Sequence, residues 1–222
     1  MSPTKFVAFN QTQYSRIIFL DTSITLLKHL DELFVLPHTL VAMPRAYDAP
    51  QPQLSTHMVV FETDEIEVSR LISTASTSPP SSAPIDISVL NAHYGNSAMV
   101  LPHRRYGLST SEFRSTTHTK FFGNDYEKWD PDAVLRDASL VHFSGDAPIP
   151  KPWIMWPHDL LHRMLPQCEF QTGTEKEKGC RDREVWLDLY NSFRKKRKEV
   201  CRLLSVPAPE WTMPVQNGTT KA

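Results

Sequence analysis

Four short apolar runs divide the chain, at residues 16–20, 40–43, 57–62 and 139–143. In two of them, Ile17 to Leu20 and Met58 to Phe61, successive residues are apolar rather than alternate ones. That pattern predicts strands covered on both faces, as in a mixed or parallel sheet flanked by helices. Between the runs the apolar period lengthens. Leu26, Leu27, Leu30, Leu33 and Phe34 predict a helix over 25–36 that stops before Pro37. Ile66, Val68, Leu71 and Ile72 predict another over 64–75, with Thr63 as its N-cap. A short helix follows at 86–94. The longest regular element spans 184–204, where Trp186, Leu189, Tyr190, Phe193, Val200, Leu203 and Leu204 return at helical spacing before Pro207 and Pro209. Strands alternating with helices indicate an α/β fold. Residues 74–84 (TASTSPPSSAP) read as a low-complexity surface loop.

Composition narrows the function classes. The 222 residues suffice for one domain with a substantial core. With 24 basic against 25 acidic side chains the formal net charge is −1, which offers no global field for nucleic acid or an anionic membrane. The basic run Arg194-Lys195-Lys196-Arg197-Lys198 reads as a solvated helix face. Eighteen prolines against seven glycines leave few glycine-rich phosphate cradles, and neither a P-loop nor G-x-G-x-x-G occurs. No run approaches the roughly 20 apolar residues that span a bilayer, and residues 1–5 lack an apolar signal core. Cys168, Cys180 and Cys201 lack the paired spacing of a zinc site; a Cys168–Cys180 bridge and free thiols both remain open.

The candidate chemistry lies where strands end. Asp21 follows Ile17-Ile18-Phe19-Leu20, and a carboxylate at the carboxyl end of a buried strand suits a diphosphate-bound divalent cation. His142 closes the run at 139–141 and could ligate the same ion. Lys151, bracketed by Pro150 and Pro152, could reach a phosphate as a point charge. Ser23 stands two residues after Asp21 and is a poorer oxygen ligand than a carboxylate. Asp86 and Asn91 lie along one short helix, where a carboxylate could orient a hydroxyl. Helix capping is the competing role for both Asp21 and Asp86.

Longer strings carry a resemblance. FNQTQY from Phe9, FLDTSITLLKHLDELFVLP from Phe19, VAMPRAY from Val41 and LNAHYG from Leu90 resemble glycosyltransferase family 8. So do LPHRRYGLSTSEFR from Leu101, FGNDYEKWDPD from Phe122, LVHFSGDAPIPKPWIMWP from Leu140 and the tail from Arg183 to Trp211. The narrower likeness is to the fungal glucose N-acetyltransferase group, N-acetylglucosaminyltransferases related to glycogenin. The resemblance implies a GT-A fold, a UDP-N-acetylglucosamine donor, Mn²⁺ (or Mg²⁺), retention of configuration, a mannose-containing glycan acceptor and the Golgi lumen. It matches Asp21 to the first acid of a metal-binding D-x-D, His142 to the later metal ligand and Lys151 to the donor-phosphate lysine. Asp86 matches the acid of a D-x-x-x-[LI]-N helix and is expected to be catalytic; Asn91 matches its asparagine and is expected to bind donor. Ser23 replaces the second acid of D-x-D; it is expected to contribute to donor binding, and the cation is expected to bind weakly.

The expected organisation is a partial catalytic domain over 1–206, lacking the N-terminal nucleotide-binding strands, with a tail over 207–222. No signal or membrane segment is visible in the chain as written, which leaves the cytoplasm as the alternative to the Golgi lumen that the resemblance implies. The alternative function is a non-catalytic glycan-binding or partner-binding remnant of the family.

Overall fold

A computed structural model describes residues 4–77, 85–143, 151–166, 180–203 and 206–207. Its strands are β1 (Arg16–Leu20), β2 (Ile24–Leu26), β3 (Val41–Pro44), β4 (Met58–Glu62), β5 (Met99–Leu101), β6 (Leu108–Ser109), β7 (Leu140–His142), β8 (Ile154–Met155) and β9 (Val206–Pro207). The helices are α1 (Thr4–Val7), α2 (Glu65–Thr77), α3 (Ile85–Tyr94), α4 (His103–Tyr106), α5 (Thr119–Phe122), α6 (Pro131–Asp137), α7 (His158–Arg163) and α8 (Arg181–Glu199).

Two mixed sheets organise these elements. The first has the order β1-β4-β3-β5, with β4 antiparallel to both neighbours and β3 parallel to β5. The second has the order β2-β7-β6, antiparallel and then parallel. The short β8–β9 pair stands apart. Strands β3 and β4 are buried almost throughout because both faces of their sheet are covered. Val41, Met43, Val59 and Phe61 pack with Phe6, Phe9, Leu71, Leu90 and Tyr94 on one face. Ala42, Met58 and Val60, one residue out of phase, join Leu30, Leu33, Leu101 and Leu140 on the other. The period of two assigns each side chain to its core. A further core forms where Trp186, Leu189 and Tyr190 of α8 meet Leu108, Phe113, Phe121, Val141 and Phe143.

The four expected strands form with ends shifted by at most one residue. The helices at 64–75 and 86–94 also form, as α2 and α3. The one expected over 184–204 forms as α8 but begins at Arg181 and ends at Glu199, leaving Val200 and Leu203 exposed beyond its end and Leu204 outside the described residues. Their details differ. Thr63 does not cap α2: its hydroxyl donates to the Tyr14 carbonyl at 2.7 Å, while the Asp64 carboxylate takes the Ile66 amide at 2.7 Å. Residues 74–77 belong to α2 rather than to the expected loop, whose remainder at 78–84 lies outside the described residues.

The helix expected over 25–36 is absent. Ile24–Leu26 is a strand paired with β7, and a 3-10 turn occupies Asp31–Val35. Of the apparent apolar stripe, Leu30 and Leu33 are buried but Leu26 and Phe34 are about half exposed. Branching at Ile24 and Thr25 favours extended backbone, and pairing with buried β7 outweighs the local helical period. Asp21 therefore caps no helix. Cys180 is disulfide-bonded and Cys201 is free and exposed. Cys168 and the tail beyond Pro207 lie outside the described residues.

Candidate functional site

The segment Asp21-Thr22-Ser23 carries the chain from one sheet to the other. Its first residue extends the β1–β4 ladder, since the Asp21 amide donates to the His57 carbonyl at 2.8 Å. Its last residue extends β2–β7, since the Ser23 carbonyl accepts from the Phe143 amide at 2.9 Å. The two registers thus bring His57, just before β4, and His142, at the end of β7, to the same crossing. Their imidazoles stack with centroids 3.5 Å apart and planes 19° from parallel.

Asp21 closes a small turn with one carboxylate oxygen and leaves the other facing an ammonium and an imidazole. Oδ1 accepts from the Ser23 amide at 3.2 Å and the Ser23 hydroxyl at 3.1 Å. Oδ2 faces Lys5 Nζ at 3.7 Å and His57 Nδ1 at 3.9 Å. The carboxyl is held below the usual carboxylate range, most strongly by His57, then by the Ser23 amide, Lys5 and the Ser23 hydroxyl, with burial opposing. At 3.9 Å the His57 influence is electrostatic, because that separation exceeds hydrogen-bond length. Consistently, His57 Nδ1 is a buried polar atom with no hydrogen-bond partner.

His142 is only 7% exposed, and its pKa is pushed down to about 3. Burial is the main cause, and His57, Lys151 and Lys5 add to it while Asp21 works against it. Its imidazole is neutral at neutral pH and keeps a lone pair. Lys151 donates from Nζ to the Phe143 carbonyl at 3.1 Å, with the ammonium 5.4 Å from the Trp153 ring centre. Asp21, Ser23, His57, His142 and Lys151 all line one open cavity of ≈ 690 Å³, together with Tyr47. The Tyr47 phenol is pushed up by burial and by the Glu112 and Asp48 carboxylates, so it stays protonated.

Asp86 lies in the first turn of α3, where its charge suits the helix N-terminus. Its Oδ2 accepts from the Lys5 ammonium in a short contact and from the Thr56 hydroxyl at 3.2 Å. Lys5 thus links Asp86 to Asp21. Asn91 is engaged with backbone: Oδ1 accepts from the Leu54 amide at 2.7 Å, and Nδ2 donates to the Leu54 and Ile87 carbonyls at 2.9 and 3.0 Å. It fixes the strip of chain at Leu54, Ser55 and Thr56 that walls the cavity.

Sequence reasoning missed His57, Lys5 and Thr56. Each is a polar residue beside an element that draws attention for its apolar content, and only the strand register exposes them as neighbours of Asp21 and Asp86. Among the described residues no group of three or more His, Cys, Asp or Glu side chains is arranged to hold a metal ion. The donor chemistry nevertheless fits one: a carboxylate oxygen and two imidazoles share the cavity, and one buried ring nitrogen has no hydrogen bond. No helix among the described residues is long and apolar enough to cross a membrane.

No family model matches the chain. It is similar to a protein named Glucose N-acetyltransferase 1 from Aspergillus fumigatus, at 49% identity over 210 residues, 90% of this chain and 54% of that protein. It is also similar to one of the same name from Gibberella zeae, at 39% identity over 213 residues, 94% of this chain and 45% of that protein. The chain spans about half the length of these relatives. Among solved structures, the glycosyltransferase GlyE of Streptococcus pneumoniae superposes with a TM-score of 0.56 at 12% identity, over 89% of this chain and 45% of that one. The WbbM bifunctional glycosyltransferase gives 0.50 at 13% identity, over 88% and 38%. The fold is the mixed α/β fold of these GT-A-like glycosyltransferases.

Proposed function

We propose that this chain is part of a family 8, retaining N-acetylglucosaminyltransferase that acts on a mannose-containing glycan in the Golgi and draws its sugar from UDP-N-acetylglucosamine. The observation that carries the reading is the sharing of one cavity by Asp21, His142 and Lys151, which lie far apart in sequence. The relatives' names supply the sugar class, and the neighbours' fold supplies the reaction class.

The residues take distinct roles. Asp21 and His142 would hold Mn²⁺ or Mg²⁺, with Ser23 adding at most a weak neutral oxygen. When bound, the ion supplies Lewis-acid stabilisation of the departing diphosphate. Lys151 presents a positive charge toward the same end of the cavity, a point charge suited to phosphate oxygens. Asp86, held by Lys5 and Thr56 just behind the cavity wall at Thr56, would orient a sugar hydroxyl. Asn91 serves the donor through the Leu54 backbone it clamps.

Calorimetric titration with UDP-N-acetylglucosamine in the presence of Mn²⁺ tests the reading. Heat that disappears in Asp21→Ala is the expected result. A second reading, a glycan-binding remnant without catalysis, is favoured by Ser23, whose hydroxyl already donates to Asp21. That reading gains if mannose oligosaccharides bind while the nucleotide sugar gives no heat.

A further inference from the structure

We propose that His57 is a cation ligand of this chain, acting with Asp21 and His142, and that the site is therefore nitrogen-rich and selects a first-row transition ion over Mg²⁺. The inference deepens the transferase reading, since it concerns the ion of the same cavity.

One nitrogen in the cavity lacks a bonding explanation. His57 Nδ1 is buried and has no hydrogen-bond partner. A buried polar atom left in that state is destabilising, so such atoms are rare and call for a reason. The nearest charged oxygen is Asp21 Oδ2, at 3.9 Å. A protonated Nδ1 would gain by closing to about 2.9 Å, and an unprotonated one would be repelled by the carboxylate. A cation between them resolves both cases. Two bonds of about 2.1 Å each span at most ~4.2 Å, so the observed separation accommodates an ion without moving the backbone.

The remaining donors point the same way. Ser23 is no substitute, because its hydroxyl and amide both face Asp21 Oδ1. Lys5 approaches Oδ2 at 3.7 Å, but its closer partner is Asp86. His142 presents a second imidazole directly against His57. Near-parallel rings aim their in-plane lone pairs along separate planes, so one ring must turn for three donors to meet. That explains why the described residues form no ready-made three-ligand group. A set of one carboxylate and two imidazoles suits Fe²⁺, Co²⁺ or Zn²⁺; Mn²⁺ is harder but still accepts imidazole and serves as the paramagnetic probe, whereas Mg²⁺ favours oxygen ligands and water.

The test uses the full chain and metal ions alone. Mn²⁺ and Mg²⁺ are titrated into wild type, His57→Ala and His57→Asp, with circular dichroism of each variant recorded first. Pulsed electron paramagnetic resonance of the Mn²⁺ samples counts the imidazole nitrogens coupled to the ion. The expected wild-type count is two, falling to one in His57→Ala with at least a tenfold loss of Mn²⁺ affinity. In His57→Asp a carboxylate replaces the ring, so Mn²⁺ still binds while the preference over Mg²⁺ narrows. An unchanged nitrogen count, or Mn²⁺ affinity within twofold in His57→Ala, overturns the proposal. So does a wild-type chain that binds UDP-N-acetylglucosamine but neither ion, a result that leaves the transferase reading standing. A chain that binds Mn²⁺ through His57 yet ignores the nucleotide sugar supports the ligand set and removes the transferase reading.

Discussion

The rings of His57 and His142 lie face to face, 3.5 Å between centroids, although one precedes β4 in the first sheet and the other closes β7 in the second. Two imidazoles can stack this closely only if they are not both protonated, since two like charges at that separation repel strongly. The stack therefore couples the joint between the sheets to pH.

The first prediction follows from the sign of that coupling. The folded pKa of His142, about 3, lies well below the ordinary 6.5. As pH falls below about 6.5 the unfolded chain takes up a proton that the folded chain refuses, so stability declines. The contribution is fully present above that pH and is lost progressively toward the folded value. Over each pH unit inside the window the slope reaches at most about 1.4 kcal/mol. His142→Leu keeps a buried apolar group of similar bulk and cannot protonate. Urea unfolding at pH 7.5, 6 and 4.5 should show the wild type losing about 2 kcal/mol more than the variant between the last two values. Parallel curves for the two proteins would remove the argument.

Ser23→Asp makes an opposite pair of changes. Without a cation it sets a second carboxylate beside Asp21 in a site where Ser23 is only 7% exposed, and it deletes the hydroxyl that donates to Asp21. The metal-free protein should lose about 1–3 kcal/mol. With millimolar Mn²⁺ the extra acid becomes a ligand, and the thermal shift on adding the ion should exceed that of wild type. Equal melting temperatures for both apo proteins, or equal shifts with Mn²⁺, would show that position 23 does not face the ion.

How much of this was legible in the chain depends on where the information resides. Successive apolar residues at Ile17–Leu20 and Met58–Phe61 gave the strands because burial on both faces leaves no polar interruption. The helix over 25–36 failed because its apolar spacing served two unrelated ends. Leu30 and Leu33 enter a core, whereas Leu26 sits on a strand that exists only by pairing with β7. No local rule contains that pairing. Asp21, His142 and Lys151 could be picked out by chemistry and resemblance, and they do line one cavity. His57 could not, because its significance lies wholly in a ladder register and a ring contact.

Asn91 separates a positioning role from a binding one. Its amide closes a two-way clamp on the Leu54 backbone, accepting from the amide and donating to the carbonyl. Asn91→Ala leaves both backbone groups without that partner. The expected loss is about 2 kcal/mol in urea unfolding, with an unchanged slope against denaturant. A loss below about 0.5 kcal/mol would mean that water replaces the clamp and the strip at Leu54 to Thr56 stands without it.

The last prediction concerns the ammonium that joins the two acids. Lys5 and Asp86 have side chains only 16% and 20% exposed, so each neutralises a charge that water reaches poorly. Lys5→Met preserves the length of the side chain and removes its charge. It leaves Asp86 with the Thr56 hydroxyl and Asp21 with His57 and Ser23. Removing one partner of such a pair costs more than the pair itself contributes, because the survivor stays desolvated. Lys5→Met should therefore lose about 2–4 kcal/mol, and Asp86→Asn a similar amount. The double variant Lys5→Met/Asp86→Asn should recover at least about 1 kcal/mol relative to the sum of the single losses. Asp21 distinguishes a simple pair from a shared cation. If Lys5 serves only Asp86, the double variant is nearly restored. If it also neutralises Asp21 across their 3.7 Å contact, a residual loss persists that disappears when Mn²⁺ is added. Additive losses in the urea titrations, with no coupling between positions 5 and 86, would contradict the link altogether.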